Sequence, residues 1–571
     1  MKIPGQLSVA INTQTSEQRF VLDHVVGIAD LTGDIDIVDA VLEGIGEFAI
    51  GEWAPLNKVG DTIGARWSED GVTMPAGFVR AYQAYVDGGW GTIGVPVAHG
   101  GQGLPFALQT AVLETLGTAN MSFALCPTLT MGAIEALVHH GSPEQQALYL
   151  PRLATGEWTG TMNLTEPQAG SDVGALRAKA TPRGDGTWSI MGTKIFISFG
   201  DHDMAHNIVH LVLARTPDAP EGTRGISLFL VPKYRLTEAG EPGAFNDVRV
   251  MSIEHKMGLH ASPTCVLSFG DHGDCIGELV GAIGGGMRAM FTMMNNARLN
   301  VGLQGVLVAE AATQKAAAYA LERVQSARAG SESREAVPIV EHPDVRRMLL
   351  RMKAQTQAAR ALVYYAAGMV DRAQAGDIGA RQRLELLTPL AKAHATDIGC
   401  EVSSLGIQVH GGMGYVEETG AAQFFRDARI TPIYEGTNGI QAADLVGRKL
   451  AIDDGGAFAR LIGDMRRDVQ GEELIRLITA CDEIGRRQAG LSHDDRLAAS
   501  YPFLTMLSTA VSGWLLEKQA RRTGSDTFGH TKRTVTRFYV EQVVPEALGL
   551  AAAATASADI LYSIDPQTLC A

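Results

Sequence analysis

One carboxylate, Glu435, stands in the stretch Arg426-Asp-Ala-Arg-Ile-Thr-Pro-Ile-Tyr-Glu-Gly-Thr-Asn-Gly-Ile-Gln441. Ile430, Pro432, Ile433 and Tyr434 make an apolar approach to it, and Gly436 follows directly. A carboxylate flanked in this way is expected to be partly desolvated, which moves its pKa up toward the range useful for a general base. Gly436 leaves room for something to pack against the backbone just after the acid. The same residues also fit a plain loop acid that caps a helix started by Thr437 or Asn438, so the local sequence leaves both readings open. Four other stretches carry residues suited to a ligand: Met162-Asn-Leu-Thr-Glu-Pro-Gln-Ala-Gly-Ser-Asp172, Lys194-Ile-Phe-Ile-Ser198, Asn295-Asn-Ala-Arg298 and Gln408-Val-His-Gly-Gly-Met-Gly-Tyr415. A guanidinium fork suits phosphate, and glycines after a helix make either a C-cap or an anion-binding nest of amides.

The elements that must position these residues follow from hydrophobic periodicity. From about Ile35 to Ala154 apolar residues recur at spacings of three and four, as helices require. The glycine-dense turns Gly88-Gly-Trp-Gly and Gly100-Gly-Gln-Gly lack the strand, turn and helix order of a nucleotide loop and read as close backbone packing. Short runs rich in Val, Ile, Thr and Phe then predict strands at Ser189 to Met191, Lys194 to Ser198, Ile208 to Ala214, Gly225 to Val231 and Cys265 to Phe269. Alternation within the second run puts Phe196 and Ser198 on one face. Helical spacing returns at about 284 to 327, 342 to 374 and 380 to 409, enough for an antiparallel bundle. A further stretch of about 120 residues ends in an alanine-rich segment, 546 to 563, with the propensity of a helix. The fold class is therefore α+β. It comprises an N-terminal helical domain (1–157), a middle antiparallel β-domain (158–280), a helical bundle carrying Glu435 (281–450) and an extra helical domain (451–571).

Composition narrows the partners. The chain has 571 residues and a net charge of -15, which disfavours nucleic acid or an anionic membrane surface as the main partner. Its six cysteines show no C-x-x-C spacing, so no metal site or disulfide framework is expected. With no long apolar run behind the N-terminal lysine, a cytoplasmic protein without a membrane anchor is expected.

Taken together and in order, the five stretches resemble the acyl-CoA dehydrogenase family over about residues 35 to 447, and the C-terminal extension resembles a long bacterial branch of it. The resemblance implies FAD as cofactor and α,β-dehydrogenation of an acyl-CoA thioester, with Glu435 taking the α-proton while the β-hydrogen leaves as hydride to the flavin. Some branches place the catalytic acid beside the arginine of the first bundle helix; here that neighbour is Ala297, which leaves the role to Glu435. The resemblance places Leu164, Thr165, Gly170 and Ser171 along the flavin and thioester, with Ser171 reaching phosphate or ligand oxygens. Phe196 covers the flavin ring and Ser198 approaches N5. Asn295 lies near the pantetheine arm, Arg298 at the coenzyme A end, Tyr434 and Gly436 beside the substrate, and Thr437 beside the cofactor. Gln408, Gly411 and Gly412 receive the FAD pyrophosphate of a neighbouring subunit, paired by Arg323, which implies a homodimer or higher oligomer. The electron acceptor implied is electron-transfer flavoprotein, and the substrates implied are 3-(methylthio)propanoyl-CoA or a short- or medium-chain acyl-CoA. Two alternatives share these motifs: an acyl-CoA oxidase, and a DNA-binding flavoprotein of the same fold.

Overall fold

A computed structural model describes residues 13–571, except the side chains of Met293 and Asn295. The chain forms two compact units: residues 44–297, and the N-terminal part through Glu43 together with Arg298–Ala571.

In the first unit, helices α1 (Met121–His140) and α2 (Pro143–Thr155) precede an eight-stranded sheet. Its strands are β1 (Trp158–Asn163), β2 (Lys179–Pro182), β3 (Trp188–Ser198), β4 (Asn207–Arg215), β5 (Ile226–Pro232), β6 (Val248–Ile253), β7 (Thr264–Phe269) and β8 (Ile276–Val280). The spatial order is β6-β7-β3-β8-β5-β4-β1, with β2 pairing β3 and β4. Alternating residues of β4 and β5 feed two cores. Leu211, Leu213, Leu228 and Leu230 pack with Tyr149, Trp158 and α1, whereas Val212, Ala214, Phe229 and Val231 pack with Ile190, Ile197 and Phe269. Every residue of β5 is buried, as expected of a strand covered on both faces. Helix α1 is apolar and long enough to cross a bilayer, but 72% of its most apolar window is buried against the protein, which makes it a core helix. Gly160 on β1 allows this, since a Cβ there would meet the Ala133 Cβ at 2.4 Å.

Three expectations change. The runs at Ser189 to Met191 and Lys194 to Ser198 form a single strand, β3, because Gly192 takes a φ of 147° and carries the ladder through instead of ending it. The domain is not wholly antiparallel: β1 pairs β4 in parallel from Trp158–Asn207 to Asn163–Val212. Strict alternation across Lys194 to Ser198 also fails, for a reason that belongs to the site below. The glycine-dense turns do pack closely, and a Cβ on Gly101 would sit 1.9 Å from the Val95 carbonyl oxygen.

The second unit is helical. Its bundle helices are α3 (Gly286–Glu322, from Arg298 onward in this unit), α4 (Pro343–Gln374), α5 (Ile378–His410) and the shorter α6 (Asn438–Gly447). Gly305 of α3 meets α5 so closely that an added Cβ would lie 2.0 Å from the Ala395 carbonyl oxygen. The extension adds α7 (Gly456–Asp468), α8 (Glu472–Gln488), α9 (Ser500–Ala520) and α10 (Thr527–Phe538). Buried Lys532 of α10 donates at 2.7 Å to both Glu17, from helix Thr15–Val21, and Gln519 of α9. Arg383 pairs Asp464 at 2.7 Å and Arg351 pairs Glu546 at 2.8 Å, so ion pairs as well as apolar packing fasten the extension to the bundle.

The alanine-rich segment is not one helix. It holds a short helix, Val544–Leu548, and separate 3₁₀ turns at Ala553–Thr555 and Ala558–Tyr562. Asp495 accepts from the Ala558 amide at 2.8 Å and from the Ser557 hydroxyl at 3.1 Å, and Ala556 is extended. Those bonds offer the backbone partners outside a helix, and the small propensity advantage of alanine does not outweigh them.

Candidate active site

Glu435 lies in a loop closed by the Asn438 amide donating to the Pro432 carbonyl at 3.0 Å. Its backbone is left-handed, φ 55°, and so is that of Gly436, φ 87°. A side chain at 436 would strike the Gln441 amide, with a Cβ only 2.8 Å from Nε2. Left-handed geometry at a glutamate is uncommon and costs energy, so the surroundings must impose it. On one side the Tyr434 hydroxyl donates to Gln304 of α3. On the other, Thr437 caps α6 by accepting from the Ile440 amide at 3.1 Å. The reading of Glu435 as a helix cap is corrected: the capping is done by Thr437 and not by the acid.

Glu435 is half-buried, and the charges of two cations act on it. Arg298 of α3 is 7% exposed and Lys392 of α5 fully buried. Burial lifts the Glu435 carboxyl above the ordinary carboxylate range, opposed by the attraction of Arg298 and Lys392. Lys392 is in turn brought down to about 8 by burial, against the stabilising charges of Asp397 and Glu435. Arg298 faces Asp444 of α6 at 3.8 Å, and Arg448 binds the other oxygen of that carboxylate at 2.6 Å. Arg298 Nε, Asp444 Oδ2 and Gln441 Oε1 are buried without a hydrogen-bond partner. Three such atoms on neighbouring residues mark a place where a ligand or water completes the bonding.

Lys392 was not singled out from the sequence. Its signal is there, since it interrupts the apolar run Leu386-Leu-Thr-Pro-Leu-Ala-Lys-Ala-His of a helix that proves buried. Its partner Asn438 (Lys392 Nζ to Oδ1, 2.9 Å) and Gln304 carry no comparable mark.

In the other unit, Leu164, Thr165, Gly170 and Ser171 follow β1. The loop is held from beneath by Lys194, fully buried, which donates to the Leu164 carbonyl at 3.1 Å and to Glu166 at 2.7 Å. Glu166 also accepts from the amides of Arg177 at 2.6 Å and Ala178 at 3.0 Å. These bonds and Lys194 keep its carboxyl low despite burial, while burial lowers Lys194 to about 8. The Ile195 amide donates to the Thr165 carbonyl at 2.9 Å, tying the loop to β3. Gly170 is open, with no atom within 4 Å of an added Cβ, and Ser171 is exposed.

Phe196 has a φ of 60° and is 59% exposed. The register of β3 against β7 shifts there, from Lys194–Leu267 to Ile197–Cys265. The bulge inserts an extra residue, so Lys194 and Ile197 are both buried, Phe196 stands out and Ser198 is half-buried. Simple two-residue alternation is therefore rephased inside the motif.

Gly411 and Gly412 end α5 in open space, with Gly411 at φ 59° and nothing within 4 Å of a Cβ on either. Gln408 is exposed beside them, and Arg323 is exposed and donates to Gln325 at 3.1 Å. Asn295 is on α3, but its side chain lies outside the described residues.

The chain matches known domains in the same order. Residues 43–157, 161–272 and 284–450 match the N-terminal, middle and C-terminal domains of acyl-CoA dehydrogenase, and residues 466–565 match an acetyl-CoA dehydrogenase C-terminal-like domain. It is 47% identical to 3-methylmercaptopropionyl-CoA dehydrogenase of Ruegeria pomeroyi, across 90% of this chain and 91% of that one. A butyryl-CoA dehydrogenase of Syntrophomonas wolfei is 35% identical, with 90% of each chain covered. Among solved structures, an acyl-CoA dehydrogenase complexed with FAD from Bacillus anthracis shares the fold, with a TM-score of 0.74 at 22% identity over 93% of this chain and 90% of that one.

Proposed function

The chain belongs to the acyl-CoA dehydrogenase family, and from that membership we propose a chemical role for each part of its site. It is an FAD-dependent acyl-CoA dehydrogenase that converts an acyl-CoA thioester to the trans-2-enoyl-CoA. FAD, when bound, supplies the acceptor for the β-hydrogen. Glu435 removes the α-proton, and the observation that supports this is its half-buried carboxylate, drawn toward neutrality by burial yet kept ionisable by Arg298 and Lys392. The Glu435 amide polarises the thioester carbonyl, so that the α-carbon becomes acidic enough for a carboxylate base. Tyr434 and Gly436 line the acyl group, and Asn295 and Arg298 serve the coenzyme A part of the substrate.

The first unit fits a flavin. Phe196 offers a flat apolar face, Gly170 an unobstructed approach, and Ser171 and Ser198 hydroxyls beside them. Leu164 and Thr165 supply backbone groups on a loop made rigid by Lys194 and Glu166. Gln408, Gly411, Gly412 and Arg323 hold a pyrophosphate, with Thr437 beside the cofactor. We assign that pyrophosphate to the FAD of a second copy, which makes the enzyme a homodimer or a larger assembly. Tyr415, 88% exposed, and Leu321, 64% exposed, flank these residues and give such an interface apolar area. Electrons pass on to electron-transfer flavoprotein in the cytoplasm. The domains assigned are 1–157, 158–280, 281–450 and 451–571.

For the substrate, the names of both relatives denote short acyl chains. We assign a short acyl-CoA, with 3-(methylthio)propanoyl-CoA as the specific candidate. Initial rates with propionyl, butyryl, octanoyl, palmitoyl and methylthiopropionyl thioesters, using an artificial electron acceptor, test this. The methylthiopropionyl and butyryl thioesters should give the highest kcat/KM. A maximum at octanoyl or palmitoyl would exclude the short-chain assignment, and faster turnover with oxygen than with the acceptor would mark an oxidase.

A further inference from the structure

Helix α9 of the extension packs against α5 and α6, and one of its hydroxyls bonds to a carboxylate there. Tyr501, on α9, donates to Asp397 Oδ2 of α5 at 2.6 Å. The other oxygen of Asp397 accepts from the Asn438 side-chain amide at 2.8 Å. Asn438 is 3% exposed and is the first residue of α6, three positions after Glu435. Its amide nitrogen also donates to Thr396 at 3.0 Å and to the Ala393 carbonyl at 3.1 Å, and its oxygen accepts from Lys392. An amide set between an anion on its nitrogen side and a cation on its oxygen side has one favourable orientation. Lys392 is the cation that acts on Glu435 from α5.

We propose that Tyr501 is a positioning residue for Glu435, acting through Asp397, Asn438 and Lys392, so that the C-terminal extension is part of the apparatus that sets the base. The proposal rests on the reading of Glu435 as that base. Asp397 faces Lys392 and Arg429 as cations, Asn438 and Tyr501 as donors, and Cys400 one turn along its own helix. Glu435 faces Arg298, Lys392 and Tyr434. The Tyr501 bond favours the ionised form of Asp397, whose carboxyl burial otherwise raises. Without it Asp397 no longer fixes the Asn438 amide, and the Lys392 ammonium bonded to that amide loses its set position. A cation held less firmly near Glu435 stabilises its ionised form less, so the base ionises at higher pH.

The test is Tyr501→Phe, which keeps the ring and removes only the hydroxyl. FAD content and KM should stay within about twofold of the parent. The rate of flavin reduction near neutral pH should fall about three- to tenfold, the size expected for one lost hydrogen bond of ordinary net strength. The acidic limb of the kcat profile should move up by about half a pH unit. Asp397→Asn should move it in the same direction. In a Lys392→Met background Tyr501→Phe should shift the limb no further, because its effect passes through that cation. A Tyr501→Phe enzyme with a lowered Tm but an unmoved limb would reduce Tyr501 to a packing residue and overturn the proposal. An equal shift with and without Lys392 would overturn the route. Glu435→Gln separates the two readings: if it removes activity while Tyr501→Phe changes nothing, the base assignment stands and the link to the extension falls.

Discussion

The bulge at Phe196 and the turn at Glu435 both depend on a non-glycine residue with left-handed backbone, φ 60° and 55°, and they use it to opposite ends. At Phe196 the extra residue turns an aromatic ring outward from a strand whose neighbours Lys194 and Ile197 are buried. It is held by a β-ladder on one side, and on the other by a buried lysine bonded to a loop carbonyl and a carboxylate. At Glu435 the same backbone form turns a charge inward, among groups from α3, α5 and α6. A conformation costing about 1–3 kcal/mol persists in either place only where the surroundings over-determine it. Displaying a surface requires rigidity alone. Tuning an acid requires charge and desolvation together, which residues near in sequence do not supply.

The largest expected effect falls at the enclosed site. Glu435→Gln keeps the size and the turn but removes the proton acceptor, so flavin reduction by substrate in stopped flow should slow by about 10²- to 10⁴-fold with FAD retained. Parent-like reduction would place the base elsewhere and end the contrast.

Lys194→Met probes the scaffold beneath the displayed ring. Glu166, 4% exposed, would lose its cation while keeping its two backbone donors, and chemical denaturation should show a loss of about 3 kcal/mol with faster FAD release. If stability is unchanged, the ion pair does not secure the loop.

Lys392→Met removes a cation from the surroundings of Glu435. A carboxylate without that neighbour ionises less readily, its pKa rises, and the acidic limb of kcat should move to higher pH by about one unit. In the parent, Lys392 itself discharges near pH 8, so the variant should differ from it most on the acid side of that value. A limb that moved down would show that Lys392 does not act on Glu435 as a cation.

The smallest effect is expected at Phe196→Gly. Glycine tolerates the left-handed backbone, and the ring is largely exposed, so apoprotein stability should change by no more than about 1 kcal/mol, toward greater stability. FAD affinity, read by titration of the apoprotein, should fall. If FAD binds as before, the exposed ring serves something other than the flavin.

Much of this was legible in the sequence. The flank of Glu435 announces a desolvated acid, and the five stretches point to the family in chain order. The helices at 343–374 and 378–410 fall within a few residues of those expected from periodicity. What was not legible has a common cause. Gln304, Lys392, Asn438 and Tyr501 come from four separate helices, and no local pattern states that these helices cross there. The close contact of Gly305 with Ala395 decides which residues of α3 and α5 come near each other, and it is a property of packing. The alanine-rich segment failed for the same reason: Asp495, far away in sequence, competes for its backbone.

The sequence by itself determined the α+β architecture and carried, in chain order, the motifs that point to the family, because periodicity, turn chemistry and residue type act over a few neighbours. The tertiary structure decided how strongly Glu435 is perturbed, which cations oppose its burial, and that a residue of the extension belongs to its surroundings. Those quantities depend on distance and dielectric across separate elements, and neither exists until the chain has packed.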